Sequence, residues 1–225
     1  MIKLMDYSNK ATSSFKPASR RVRLAHLVPD ASGFSLIEVL VSIVILSFGL
    51  LGMVGMQAAA LQSNREARLQ STAIVLAREL AEMMRGNKEI GIKKTASTNP
   101  YLGSFTSPLT AATPTYCLSV GTTACSTTTA VANAQMTEWL ARVDAQLPGA
   151  RVEVCFDSAP FDSTSGLPEK WTHLCDNAGT AVVKIGWTRG STDRSKSGSD
   201  ALERTTDEGN ARPLIVVPLT AGSST

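Results

Sequence analysis

Apolar and polar positions divide the chain into unequal parts. From Val39 to Asn64, 26 consecutive residues carry no charge, and most are Val, Ile, Leu, Met, Ala or Gly. About 20 such residues suffice to cross the hydrocarbon core of a bilayer as a helix. The apolar pattern then narrows rather than ending. Leu69, Ala73, Leu76, Leu80 and Met83 recur at spacings of four, three, four and three, which is one face of an amphipathic helix. Arg65, Arg68, Arg78, Glu79, Glu82 and Arg85 populate the other face. No proline interrupts the run from Phe34 to Arg85, and Gly86 and Gly91 offer stops. The pattern predicts one helix from about Leu36 to Arg85, roughly 75 Å long at about 1.5 Å per residue. Its first part, about 36–62, suits lipid; its second suits carrying a domain.

The rest of the chain alternates loops with shorter elements. Residues 95–135 are rich in Thr, Ser and Ala and contain Pro100, Pro108 and Pro114, so a loop region is expected, with a short strand around Tyr116–Val120. Met136, Trp139, Leu140, Val143 and Leu147 mark a second amphipathic helix, which Pro148-Gly149 ends. Val152, Val154 and Phe156 alternate with Arg151, Glu153 and Cys155, a strand pattern, and Val183, Ile185 and Trp187 form another. Residues 189–212 are polar. Leu214–Leu219 suggests a last strand, and Pro213 and Pro218 place it at a sheet edge. The plan is α+β: a long N-terminal helix, transmembrane then amphipathic, with a small antiparallel-sheet head able to bury its own core. The expected divisions are a basic leader over 1–33, the helix over 34–86 and the head over 87–225.

Charge sharpens the picture. The chain carries a net +3. Lys3, Lys10, Lys16, Arg20, Arg21 and Arg23 stand against Asp6 and Asp30, so the first 33 residues hold more than the whole excess. A nucleic-acid binder keeps its basic residues in the folded part; no specific nucleic acid is expected here. Basic residues ahead of an apolar segment instead predict a cytoplasmic N-terminus and an exported C-terminal part.

Candidate chemistry is sparse. Cys117, Cys125, Cys155 and Cys175 all follow the apolar segment. None forms C-x-x-C, and only His26 and His173 could complete a zinc site, so no metal is expected. An even number of cysteines beyond a membrane-crossing segment predicts two disulfides. The simplest pairing is Cys117–Cys125 with Cys155–Cys175, one of the three connectivities four cysteines allow. There is no G-x-S-x-G elbow, no phosphate-binding glycine loop and no H-E-x-x-H pair. No catalytic residue and no cofactor is therefore expected. His173 reads as a surface or disulfide-loop residue, and Trp139, Trp171 and Trp187 as core anchors. Ser19-Arg20-Arg21-Val22-Arg23-Leu24 has the look of a twin-arginine signal, but no small-x-small site ends the apolar segment that follows.

The junction decides between readings. It runs Gly33-Phe34-Ser35-Leu36-Ile37-Glu38-Val39-Leu40: a basic leader ending in Gly, an aromatic opening the apolar run, and one carboxylate at the fifth residue of that run. In a secretory signal peptide, cleavage follows a short apolar region. A cut at Gly33 precedes it and leaves the membrane helix in the mature protein. This junction strongly resembles the class III signal of type IV prepilins and pseudopilins.

That resemblance implies a pilin-like fold, cleavage between Gly33 and Phe34 by prepilin peptidase, and N-methylation of Phe34. It further implies that Glu38 pairs with the N-terminal amine of a neighbouring subunit. A lone Glu at this depth could simply reach the membrane surface; its register with Gly33 and Phe34 favours the pairing. Gly49, Gly52 and Gly55 fall where helices can approach closely in membranes. The helix, Pro148-Gly149 and strand from Trp139 to Cys155, then Val183-Lys184-Ile185-Gly186-Trp187 and the cysteines, are similar to the heads of minor pilins. The implied partners are the peptidase, other minor pilins, the major pilin and the inner-membrane assembly platform. The implied route runs from the inner membrane, with the head periplasmic, to the pilus at the cell surface. The alternatives are a pseudopilin of a type II secretion system and, lacking any recognisable site, a membrane-anchored periplasmic enzyme or sensor.

Overall fold

A computed structural model describes residues 33–119, 121–190, 202–203 and 211–220. The leader expected over 1–33 lies outside them except for Gly33, as does most of the polar stretch 189–212. Helix α1 runs from Leu36 to Gly86, close to the bounds read from the sequence. The chain forms two compact units, Met1–Leu51 and Gly52–Thr225, and the division falls within α1.

In the first unit every described residue is exposed, apolar side chains included. The second unit holds the rest of α1, a short α2 (Lys88–Gly91), strand β1 (Gly103–Thr106), helix α3 (Thr128–Gln146), and strands β2 (Arg151–Asp157) and β3 (Thr180–Gly186). A two-residue ribbon follows, β4 (Arg189–Gly190) with β5 (Leu202–Glu203), and then β6 (Ile215–Leu219). The main sheet is antiparallel throughout, in the order β1-β2-β3-β6, so β6 lies at an edge as Pro218 requires. The architecture is α+β.

Strand periodicity separates two faces of this sheet. Val152 pairs Ile185, Val154 pairs Val183 and Phe156 pairs Ala181; Ile185 and Ala181 in turn pair Ile215 and Leu219. These residues share one core with Ala73, Leu76, Ala77, Leu80 and Met84 of α1 and with Ala132, Met136, Trp139, Leu140 and Val143 of α3. Arg151, Glu153, Cys155 and Asp157 alternate with them on β2 and so point to the other face, beside Lys184 and Val182 of β3. Residues 158–179, tied to β2 by the Cys155–Cys175 disulfide, run from β2 to β3.

Several local expectations are corrected. No strand forms at Tyr116–Ser119, and Val120 lies outside the described residues. Cys117 is bonded to Cys125, and over this eight-residue separation the chain turns, with Ser119 N–H on Tyr116 O and Thr122 N–H on Ser119 O. The strand lies earlier, at Gly103–Thr106, where only Phe105 is buried and no alternation is legible. Helix α3 begins at Thr128, well before Met136. Its first turns pack through Ala132 and Ala134, and alanines give no hydrophobic period to read. Thr127 caps it by accepting the Ala130 N–H at 3.0 Å, and the extended backbone of Leu147 ends it before Pro148. On α1 the buried stripe ends in Met84, with Met83 only half-buried, because a 3.6-residue period drifts across a four-three spacing.

Candidate functional site

The N-terminal segment is built from its own backbone. Gly33, Phe34 and Ser35 are not helical. Ser35 O accepts the N–H groups of Glu38 (2.9 Å) and Val39 (3.3 Å), which starts α1. Glu38 therefore lies in the first turn, where a carboxylate favours the positive end of the helix dipole. Among the described residues nothing pairs with it. Phe34 is 83% exposed. Among the described residues, a Cβ placed on Gly33, Gly49, Gly52 or Gly55 meets nothing within 4 Å, so their packing does not demand these glycines.

The apolar stretch of α1 is long enough to span a membrane, and none of it is buried. Two of its hydroxyls are satisfied locally. Ser42 Oγ donates to Glu38 O and Ser47 Oγ to Ile43 O, each at 2.7 Å, which removes two hydroxyls that lipid could not hydrogen-bond. The sequence pattern alone does not show that.

The comparisons with known proteins fall on this segment and the helix that follows. The prokaryotic N-terminal methylation motif matches residues 29–54, which include Gly33, Phe34 and Glu38. The family described as type IV pilin Tt1218 matches residues 55–139. This is a type IV pilin-like protein with a prepilin-type signal. The two matches meet within α1, and the second ends at Trp139 in α3, so β2, β3 and β6 lie beyond both. No curated protein and no solved structure matches the chain.

In this pilin-like protein, α3 is fastened to the second half of α1. Trp139 Nε1 donates to Leu76 O at 2.9 Å, and Arg142 pairs Glu79. Trp187, just past β3, donates to Glu66 Oε2 at 3.5 Å. Trp139 and Trp187 are fully buried and Trp171 nearly so, its ring 4.5 Å from the Arg151 guanidinium. Asn99 orders the turn before β1: its Oδ1 accepts the Tyr101 N–H and its Nδ2 donates to Lys93 O.

The second face of the sheet carries a charged cluster that sequence reading missed. Lys184 and Asp157 are each 1% exposed, and Lys184 Nζ lies 2.7 Å from Asp157 Oδ2. Glu153 Oε2 is 3.9 Å from the same Nζ, and Cys175 Sγ is 3.5 Å away. His173 does lie in the disulfide loop, half-buried, with Nε2 3.7 Å from Asp157 Oδ1. Burial raises the Glu153 carboxyl above its ordinary range, with Lys184 and Arg151 opposing the shift. The legible signal was a lysine inside an apolar strand, Val182-Val183-Lys184-Ile185. Cys155, Asp157 and Cys175 are close enough for metal ligands, but the two sulfurs are joined in a disulfide, and a thiolate is what binds metal.

Proposed function

We propose that the protein is a minor pilin of a type IV pilus, of the kind called type IV pilus modification protein PilV. Prepilin peptidase cuts between Gly33 and Phe34 and methylates the new amine. Before assembly the protein spans the inner membrane once, N-terminus cytoplasmic and head periplasmic. It then leaves through the assembly platform into a bundle with other minor pilins and the major pilin, where it primes, caps or modifies the filament.

One observation carries this reading: Gly33, Phe34 and Glu38 stand in register at the start of an apolar helix segment whose surface has no partner among the described residues. A lone membrane anchor also needs apolar residues, but not a carboxylate four residues after an aromatic. Glu38 lies in the first turn of α1 with no partner among the described residues, so a methylated amine of one subunit and the Glu38 carboxylate of the next complement each other in charge. Glycines unused by the chain's own packing suit close approach of neighbouring helices.

The test is N-terminal peptide analysis of protein from native membranes, followed by blotting of sheared filaments. A mature chain beginning with methylated Phe34 and present in pili is expected. Retention of residues 20–33 would overturn the processing. Presence only in the cell envelope of piliated cells, with loss of protein export on deletion, would favour a secretion pseudopilin.

A further inference from the structure

The buried cluster on the second sheet face has the parts of a reaction centre. Lys184 on β3 and Asp157 at the end of β2 are sealed from water and in contact, Nζ to Oδ2 2.7 Å. Asp157 Oδ1 accepts the Ala159 N–H at 3.0 Å and faces His173 Nε2. Glu153 pairs Lys184 directly across the strands, and its Oε2 is buried with no hydrogen-bond partner. A structural ion pair has no need of an extra carboxylate oxygen left unsatisfied 3.9 Å from the amine.

We propose that Lys184 and Asp157 condense into an intramolecular amide, with Glu153 carrying the proton. The step passes through the neutral pair, amine and carboxylic acid, reached when one proton moves from Nζ to Oδ2 across their 2.7 Å contact. The amine lone pair of Nζ attacks Cγ of Asp157 and forms the C–N bond. Negative charge develops on Oδ1, where the Ala159 N–H donates, the arrangement that stabilises acyl-transfer intermediates. Glu153 takes the surplus proton from Nζ and returns it to the departing oxygen. The C–Oδ2 bond breaks and water leaves. One amine and one carboxylic acid become one amide and one water; nothing is oxidised or reduced, and no co-reactant is needed. Glu153 suits the shuttle because burial moves its carboxyl toward neutrality. Asp157, not Glu153, is the electrophile because it alone touches Nζ and has a donor on its second oxygen. The product removes two buried charges and ties β2 covalently to β3, which resists separation of the strands when a filament is pulled.

Trypsin digestion of the native protein tests the proposal. The Cys155–Cys175 disulfide and the amide would join the same two stretches of chain, so reduction separates the two explanations. After reduction and alkylation, peptides 152–170 and 171–189 should remain joined, lighter by one water, with Lys184 uncut. Fragment ions should place the link on Asp157. Lys184→Arg keeps the charge without a nucleophilic amine and should free the peptides on reduction. Glu153→Gln should lose most of the link while the Cys155–Cys175 disulfide still forms. Peptides that separate on reduction in the wild-type protein would overturn the proposal, leaving a plain ion pair. A link at Glu153 would overturn the assignment of the electrophile, and full linkage in Glu153→Gln would overturn the proton shuttle.

Discussion

At the scale of single residues, two carboxylates do opposite things with burial. Glu38 lies on a helix suited to lipid, where a charge at the centre costs about 2.5–3.5 kcal/mol, and less near an end. Glu38→Ala removes that cost, so levels of the protein in the membrane should hold or rise. Cleavage after Gly33 should continue, because Glu38 lies downstream of the bond. Incorporation into filaments should fall, read from blots of sheared pili and from filaments counted per cell. Wild-type incorporation would show that Glu38 merely reaches the membrane surface. Glu153 is held by the head. Its carboxyl is raised by burial above the 4.5 of an unperturbed group, so the folded chain binds this proton more tightly than the unfolded one. Stability from the protonated form is complete below 4.5 and is lost as pH rises through the folded value. Denaturation midpoints of the native protein in detergent should decline over that window, and Glu153→Gln should flatten the decline.

At the scale of elements, the head depends on ties between segments far apart in sequence. Trp139 fills the contact of α3 with α1 and donates to Leu76 O, so Trp139→Ala removes a fully buried ring and a hydrogen bond. Such truncations cost roughly 3–5 kcal/mol; chemical denaturation should report a loss of that order, with α3 the first element to exchange its amide protons. The Cys155–Cys175 disulfide closes a loop of 20-residue separation and should contribute about 3 kcal/mol in the chain-entropy model. Replacing both cysteines with alanine should lower the unfolding free energy from chemical denaturation by about that amount and expose the bond after Lys170 to trypsin. Gly179 returns the same loop to β3. Its φ is +63°, and a Cβ there would lie 2.6 Å from Ser158 Cα and 2.7 Å from Asp157 O. Gly179→Ala should therefore disturb Asp157 as well as the turn.

At the scale of the whole molecule, the prediction concerns processing. Gly33 is exposed, and a Cβ there meets nothing among the described residues, so a requirement for glycine at this position would point to an enzyme that must approach it. Gly33→Leu should fold and insert normally but accumulate as the longer precursor, visible as a mass shift on blots of membrane fractions. Normal maturation of that variant would show that the cut lies elsewhere.

The sequence by itself determined what depends on composition and local period. Twenty-six uncharged residues announce the apolar helix, and the four-three spacing after Asn64 announces its amphipathic continuation, because a helix face is set by neighbours three and four apart. Alternation in Val152–Phe156 and Val183–Trp187 marks two strands, and Gly33-Phe34-Glu38 marks the junction, since a short motif needs no fold to be read. Tertiary structure decided what depends on partners distant in the chain. Strand β1 exists because Gly103–Thr106 finds the edge of β2, not because its own residues favour extension. Helix α3 extends back to Thr128 because alanines fit there. Met84 rather than Met83 reaches the core because the helix drifts past its nominal face. Lys184 becomes a buried partner of Asp157 only when β2 and β3 pair antiparallel and place Glu153 opposite it. A lysine in a strand looks like surface until the segment that covers it, joined through Cys155–Cys175, is in position.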